Sequence, residues 1–92
     1  MLRVDYEALG EAAKTLDDQA ETFGDCIEAM SKVIKSLPDV WEAETCDRYV
    51  DQYEEAEPKL KDVKQMIMDM AAQMRQISDN FAKADQEMKS QM

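Results

Sequence analysis

The chain has no histidine, and glycine, proline and cysteine each occur only twice in its 92 residues. Without histidine it lacks the commonest general base and metal ligand. Its glycines, Gly10 and Gly24, stand apart, so there is no glycine-rich loop to hold a phosphate. No stretch approaches the ~18 apolar residues of a transmembrane helix. We therefore expect no catalytic residue, no metal site, no cofactor and no membrane insertion.

Basic residues are also scarce, with 11 lysines and arginines against 21 acids and a formal net charge of −10. Such a chain is repelled by nucleic acids and by anionic membrane surfaces, which excludes nucleic acid as an expected partner. The first residues, MLRVDYEALGEAAK, contain acids and no long apolar segment, so they do not form a signal peptide. We expect the protein in the cytoplasm before any export. Cys26 and Cys46 form no C-x-x-C motif, and whether they pair stays open.

Apolar residues recur at alternating steps of four and three along nearly the whole chain, which indicates two long amphipathic helices. The first run is Leu2, Tyr6, Leu9, Ala13, Leu16, Ala20, Phe23, Ile27, Met30, Ile34 and Leu37. The second is Cys46, Tyr49, Tyr53, Ala56, Leu60, Val63, Ile67, Met70, Met74, Ile77, Phe81, Ala84 and Met88.

The break between the helices is marked by Pro38, which cannot continue a helix. Asp39 and Glu42 have the spacing of a capping box, which predicts that the second helix starts near Val40. Asp5 is placed to cap the first helix.

These signals predict a single all-α domain, an antiparallel two-helix hairpin over residues 1–92. Helix one covers about 5–36, the turn 37–39 and helix two about 40–88. Pro58 lies inside the second run without a change of phase, so we expect a kink there rather than a break.

Two helices cannot bury all of this apolar surface, so we expect the hairpin to complete a four-helix bundle with a partner. The second helix is also longer than the first, and we expect its end, including Ile77, Phe81, Ala84 and Met88, to extend beyond helix one. The expected partner-binding seam consists of Phe23, Ile27, Met30, Ile34, Leu60, Val63, Ile67, Met70, Met74 and Ile77.

Six of the eight methionines lie from Met66 onward. They are either ordinary core residues or an adaptable surface for a non-identical partner. Phe81 and Asp85 are likewise open to two interpretations. They share one helical face and so could be recognised together, or they are a heptad residue and a solvated acid.

The chain resembles the WXG family of early-secreted-antigen-like proteins, which are substrates and accessory factors of type VII secretion. The resemblance is carried by the hairpin pattern and by the turn motif of Trp41, Glu42 and Ala43. It is also carried by Cys46 and Tyr49, where the family tends to place a small residue and an aromatic, and by the segment FAKAD at 81–85.

Two differences from the family pattern concern its short motifs. Ala43 stands where the family has glycine, and Phe81 stands where the C-terminal export motif usually begins with tyrosine, while Asp85 is kept. The Phe-x-x-x-Asp variant looks like the small targeting factors that accompany LXG toxins in the type VIIb system of Gram-positive bacteria.

The resemblance implies a non-enzymatic targeting factor or chaperone that binds the helical N-terminal domain of an LXG toxin and supplies Phe81 and Asp85 as an export signal. Further partners would be a second small helical factor and the secretion ATPase. One alternative is a secreted homodimer that is itself a substrate or component of the apparatus, and another is a plain coiled-coil module. Trp41 is expected in the first turn of helix two, as an end-cap of the bundle or a recognition site.

Overall fold

The computed structural model describes residues 3–90, which form two long helices joined by a short connection. Helix α1 is Tyr6–Ser36 and helix α2 is Glu44–Ser90, with a short 3-10 turn, Leu37–Asp39, between them. Residues 3–90 contain no strand. The predicted all-α hairpin of two long helices is therefore confirmed. None of the described helices has an apolar stretch long enough to cross a membrane.

Asp5 caps the start of α1, as the sequence predicts. Its Oδ1 accepts a hydrogen bond from the Ala8 amide at 3.1 Å, and its carbonyl accepts one from the Leu9 amide at 2.9 Å. The side chain thus satisfies one of the amides that a helix start leaves without an intrahelical partner.

The connection is longer than the predicted 37–39, and the Asp39–Glu42 capping box is not formed. Pro38 favours a tight 3-10 turn, which the Val40 amide closes by donating to the Leu37 carbonyl at 3.1 Å. Asp39 belongs to this turn, whereas an N-cap residue needs extended backbone angles.

Helix α2 consequently begins at Glu44 rather than near Val40. The Ala43 carbonyl accepts the first hydrogen bonds of this helix, from the Cys46 amide at 3.1 Å and the Asp47 amide at 3.3 Å. Trp41 therefore lies in the connection, and its predicted place in the first turn of helix two is wrong. From Glu44 the helix continues through Pro58 without interruption.

The chain divides into two compact units, each made of paired segments of α1 and α2. The terminal unit contains the residues up to Gln19 and those from Met66 onward, and the turn unit is Ala20–Gln65. In both units the paired segments run antiparallel.

Apart from Ile27, the side chains buried in the contact between the helices are small. The terminal unit buries Ala13, Ala71 and Ser78, and the turn unit buries Ala20, Ile27, Ser31 and Cys46. Because the distance between packed helices depends on the side chains between them, alanine and serine let the helices approach closely. The larger apolar side chains are then left at the margins of the contact.

Candidate functional site

Each unit has apolar residues of α2 that recur every seven positions. They are Tyr49, Ala56 and Val63 in the turn unit and Met70, Ile77 and Ala84 in the terminal unit, and we call them the outer row. All are exposed except Ala56, which is half-buried. Val63 and Ile77 are each 43 % exposed and Met70 is 48 % exposed. Large apolar groups at regular spacing and half exposed to water indicate, in each unit, a surface that a further helix can cover.

The side of α2 that faces α1 carries a more polar row. Glu57, Lys64, Ala71, Ser78 and Asp85, again seven residues apart, are buried or half-buried. Helix α1 has a matching arrangement, with Gly10, Asp17, Gly24 and Ser31 on its protected side. Small and polar residues therefore pair the two helices of the hairpin, and part of the apolar surface stays outside.

The predicted partner-binding seam accordingly divides into two sets. Ile27 is buried, and Phe23, Ile34, Leu60, Ile67 and Met74 are half-buried. Met30, Val63, Met70 and Ile77 are exposed. Binding of a partner to either set stays a prediction.

In the turn unit an apolar groove of about 320 Å³ opens beside the helix contact. It is lined by Ala29, Met30, Val33, Ile34 and Tyr53, so it draws side chains from both helices. Met30 and Val33 are exposed at its rim. This groove and the outer row are the apolar features best suited to receive a partner's side chains.

Below the groove, Tyr53 and Glu57 form a polar cluster with Ser31 of α1 and Lys61. The Tyr53 hydroxyl donates to the Ile27 carbonyl at 2.9 Å. Burial and the nearby Glu57 charge raise the pKa of Tyr53. Hydrogen bonding to Lys61, whose Nζ lies 3.2 Å from Glu57 Oε1, and to Ser31 lowers the pKa of Glu57, against the opposing effect of burial.

One oxygen of that carboxylate, Oε2, is buried without a hydrogen-bond partner among the described residues. Lys61 lies on the same helix as Glu57 and pairs with it whatever the position of α1, so only the contact with Ser31 depends on how the two helices are aligned.

Trp41 packs against the beginning of the outer row. Its ring centroid lies 5.8 Å from that of Tyr49, with the ring planes tilted by 57°, a favourable geometry for two aromatic rings. Trp41 remains 38 % exposed. Glu42 and Ala43, the other members of the turn motif, are exposed in the connection. The tryptophan therefore extends the apolar surface of the turn unit at the connection.

The proposed export residues differ in their surroundings. Phe81 is 41 % exposed. Asp85 is half-buried, because the Tyr6 hydroxyl donates to its Oδ2 at 3.1 Å and Lys89 Nζ lies 3.2 Å from the same oxygen. The bond to Asp85 is also the main cause of a raised pKa at Tyr6, and the carboxylate raises the pKa of Lys89.

These contacts correct the expected extension of helix two beyond helix one. Tyr6, the first residue of α1, contacts both Ser78 and Asp85, so α1 reaches as far along α2 as Asp85 and only Met88 of the four residues expected beyond it follows that point. Ile77 and Phe81 are exposed because they point away from α1, and not because α1 ends too early.

The remaining candidates for chemistry are isolated. Cys26 is exposed, Cys46 is buried, and both are free thiols. Burial raises the pKa of Cys46. Within residues 3–90, no three His, Cys, Asp or Glu side chains are grouped as a metal site requires.

Sequence reasoning missed Tyr6, Ser78 and Lys89 as neighbours of the proposed export residues. The local pair of Asp85 and Lys89 could have been found, because residues four apart meet on a helix. The contact of Tyr6 with Asp85 depends on how the two helices align, which the heptad pattern leaves undetermined.

Comparison with known proteins places this hairpin in context. Residues 1–86 match the WXG100 family, described as proteins of 100 residues with WXG. The chain is 23 % identical to Protein YukE of Bacillus subtilis (strain 168), over all of this chain and 95 % of that protein. No solved structure matches it significantly.

Proposed function

Because the chain belongs to the WXG100 family, whose members are small helical proteins of type VII secretion, we propose that it targets an LXG toxin for export. In this role it binds the helical N-terminal domain of the toxin and completes a four-helix bundle with it. Phe81 and Asp85 then serve as the export signal that the secretion ATPase recognises.

The observation that carries this proposal is the exposed outer row. Val63, Met70 and Ile77 each keep nearly half of their surface in water. Burying apolar surface is favourable by about 25 cal/mol per Å², so a helical partner that covers the row gains affinity from every member. The toxin's amphipathic helices would in turn be protected from aggregation before export.

Charge favours a partner that differs from this chain. With a net charge of −10 on each copy, two copies carry −20, and their mutual repulsion opposes self-association. A less acidic toxin domain avoids this repulsion. Methionines on the exposed surface, such as Met66 and Met70, also adapt to a partner of different shape.

The proposal is tested by mixing the purified chain with the helical N-terminal region of an LXG toxin encoded by a neighbouring gene. Light scattering after size exclusion should show a new complex that contains both proteins. A stable homodimer that gains nothing when the toxin region is added would contradict the proposal.

The signal requires a separate experiment in cells. Phe81→Ala and Asp85→Ala should each abolish export of the toxin, with helix content unchanged by circular dichroism. Asp79→Ala is the matched control, since it removes an exposed acid from the same helix. Normal export by both signal variants would contradict the assignment of the signal.

The second candidate is a secreted homodimer that is itself a substrate or component of the apparatus. Proteins of this family commonly form homodimers, and the family match covers residues 1–86. Sedimentation equilibrium of the chain alone decides between a monomer and a dimer that forms despite the charge.

A further inference from the structure

The acid of the proposed export signal is bound by the first residue of α1. Asp85 Oδ2 accepts the Tyr6 hydroxyl at 3.1 Å, and Lys89 Nζ lies 3.2 Å from that same oxygen. One carboxylate oxygen thus has a hydrogen bond and a counter-charge from within the chain. A receptor that reads this acid must compete with both.

Tyr6 is itself held against α2. The Ser78 hydroxyl donates to the Tyr6 carbonyl at 2.5 Å. Gly10, one turn further along α1, makes room for this serine, since a Cβ there would lie 3.0 Å from Ser78 Oγ. Ser78 and Asp85 are seven residues apart, so they lie on one side of α2 and together hold the first turn of α1.

Phe81 lies between these two contacts along α2, yet its side chain remains 41 % exposed. The Asp85 side chain is 41 % exposed as well. The two members of the proposed signal differ instead in their contacts, because Asp85 Oδ2 is already bound to the Tyr6 hydroxyl and to Lys89. Tyr6 belongs to a helix end, the kind of segment that opens locally at low free energy.

We propose that the first turn of α1 masks Oδ2 of Asp85, and that the export receptor binds this oxygen only when the Tyr6–Asp85 hydrogen bond breaks. This inference rests on the proposed function, in which Phe81 and Asp85 are the signal. Masking lowers the apparent affinity in proportion to the fraction of molecules that are open. One net hydrogen bond changes that equilibrium by about two- to tenfold.

The test compares full-length variants in a type VIIb-competent strain that lacks the chromosomal copy, with export measured as the initial rate of toxin release. Tyr6→Phe keeps the ring and removes the hydroxyl, so it should raise the rate about two- to tenfold. Asp85→Asn should abolish export. In the double variant, Tyr6→Phe should give no gain, because the group that it uncovers is gone.

A second readout follows the masking contact itself. In Tyr6→Phe the first turn of α1 should open more often, so the amides of residues 8–10, which belong to that turn, should exchange hydrogen for deuterium about two- to tenfold faster than in the unmodified chain. Ser36→Ala is the control, since it also removes a hydrogen-bonded hydroxyl, here one that donates to the Val33 carbonyl in the turn unit. It should change neither exchange at residues 8–10 nor export.

The possible failures are distinguishable. If Asp85→Asn abolishes export but Tyr6→Phe leaves it unchanged or lowers it, the masking is refuted and the signal stands. Unchanged exchange at residues 8–10 in Tyr6→Phe also refutes the masking. If Asp85→Asn exports normally, the signal is refuted, and the masking with it.

Discussion

Two methionines in one turn of α2 provide a direct test of the partner surface. Met70 belongs to the outer row and is 48 % exposed, whereas Met68 is 36 % exposed on a side of the helix that also carries Lys61 and Arg75. We predict that Met70→Gln weakens partner binding and that Met68→Gln does not. Glutamine has nearly the helix propensity of methionine, so both variants should keep the helix content of the parent.

The magnitude follows from the exposed fraction of Met70. Full burial of a methionine side chain stabilises by about 1.5–3 kcal/mol, so its 48 % exposed part leaves about 0.7–1.4 kcal/mol to be gained on binding. Glutamine forgoes this gain and places an amide in an apolar contact, at a further cost of about 1–2 kcal/mol. The total of about 2–3 kcal/mol corresponds to a roughly 30- to 150-fold weaker complex.

The assay is isothermal titration calorimetry of each variant with the toxin's helical N-terminal region, with circular dichroism to verify helix content. For a self-associating chain, sedimentation equilibrium gives the corresponding homodimer constant. Equal losses in the two variants, or no loss in Met70→Gln, would show that the outer row does not bind the partner.

Three further predictions concern the hairpin itself. Tyr53→Phe should lower the free energy of unfolding by about 1 kcal/mol, because it removes a half-buried hydrogen bond. Tyr49→Phe, on an exposed side chain, should change it by less than about 0.5 kcal/mol. Urea unfolding at fixed protein concentration compares the two variants, and equal effects would refute the contribution of the Tyr53 hydrogen bond. The pKa of Glu57 is lowered on folding, so its carboxylate stabilises the fold above the unfolded pKa near 4.5, and this contribution disappears as the pH falls through the lower folded pKa. Glu57→Gln should therefore flatten the dependence of the free energy of unfolding on pH in that acidic range. An unchanged slope would refute the lowered pKa of Glu57. Gly24→Ala should stabilise the fold by up to about 1 kcal/mol, because the new methyl group meets only the movable end of the Lys64 side chain. Gly10→Ala should be less stable than Gly24→Ala by about 1–2 kcal/mol, because its methyl group crowds the buried Ser78 hydroxyl. Thermal unfolding ranks the two variants, and equal stability would argue against the close approach of the helices at Gly10.

Local signals in the sequence were reliable where neighbouring residues decide the structure. Asp5 caps α1 through an amide three residues away, and the predicted end of the first helix at 36 is where α1 ends. The predicted start of α2 was four residues too early. Aspartate is a preferred N-cap residue, but Asp39 belongs to the 3-10 turn that Pro38 favours.

The heptad pattern also identified the right side of each helix but not the line of contact. The predicted seam followed the large apolar residues, including Met70 and Ile77, and did not include Ala71 or Ser78. In the structure, Ala71 and Ser78 are buried between the two helices, and the neighbouring residues Met70 and Ile77 remain exposed.

By itself, the sequence determined two long helices, their connection at Pro38 and an excess of apolar surface, because periodicity, proline and composition act over a few residues. Only the tertiary structure decided which side chains are free for a partner and which are used within the chain. Two antiparallel helices can align at several offsets and rotations with nearly equal apolar burial. The close packing of the small residues and the hydrogen bonds between the helices, such as that of Tyr6 with Asp85, fit the alignment seen in the structure.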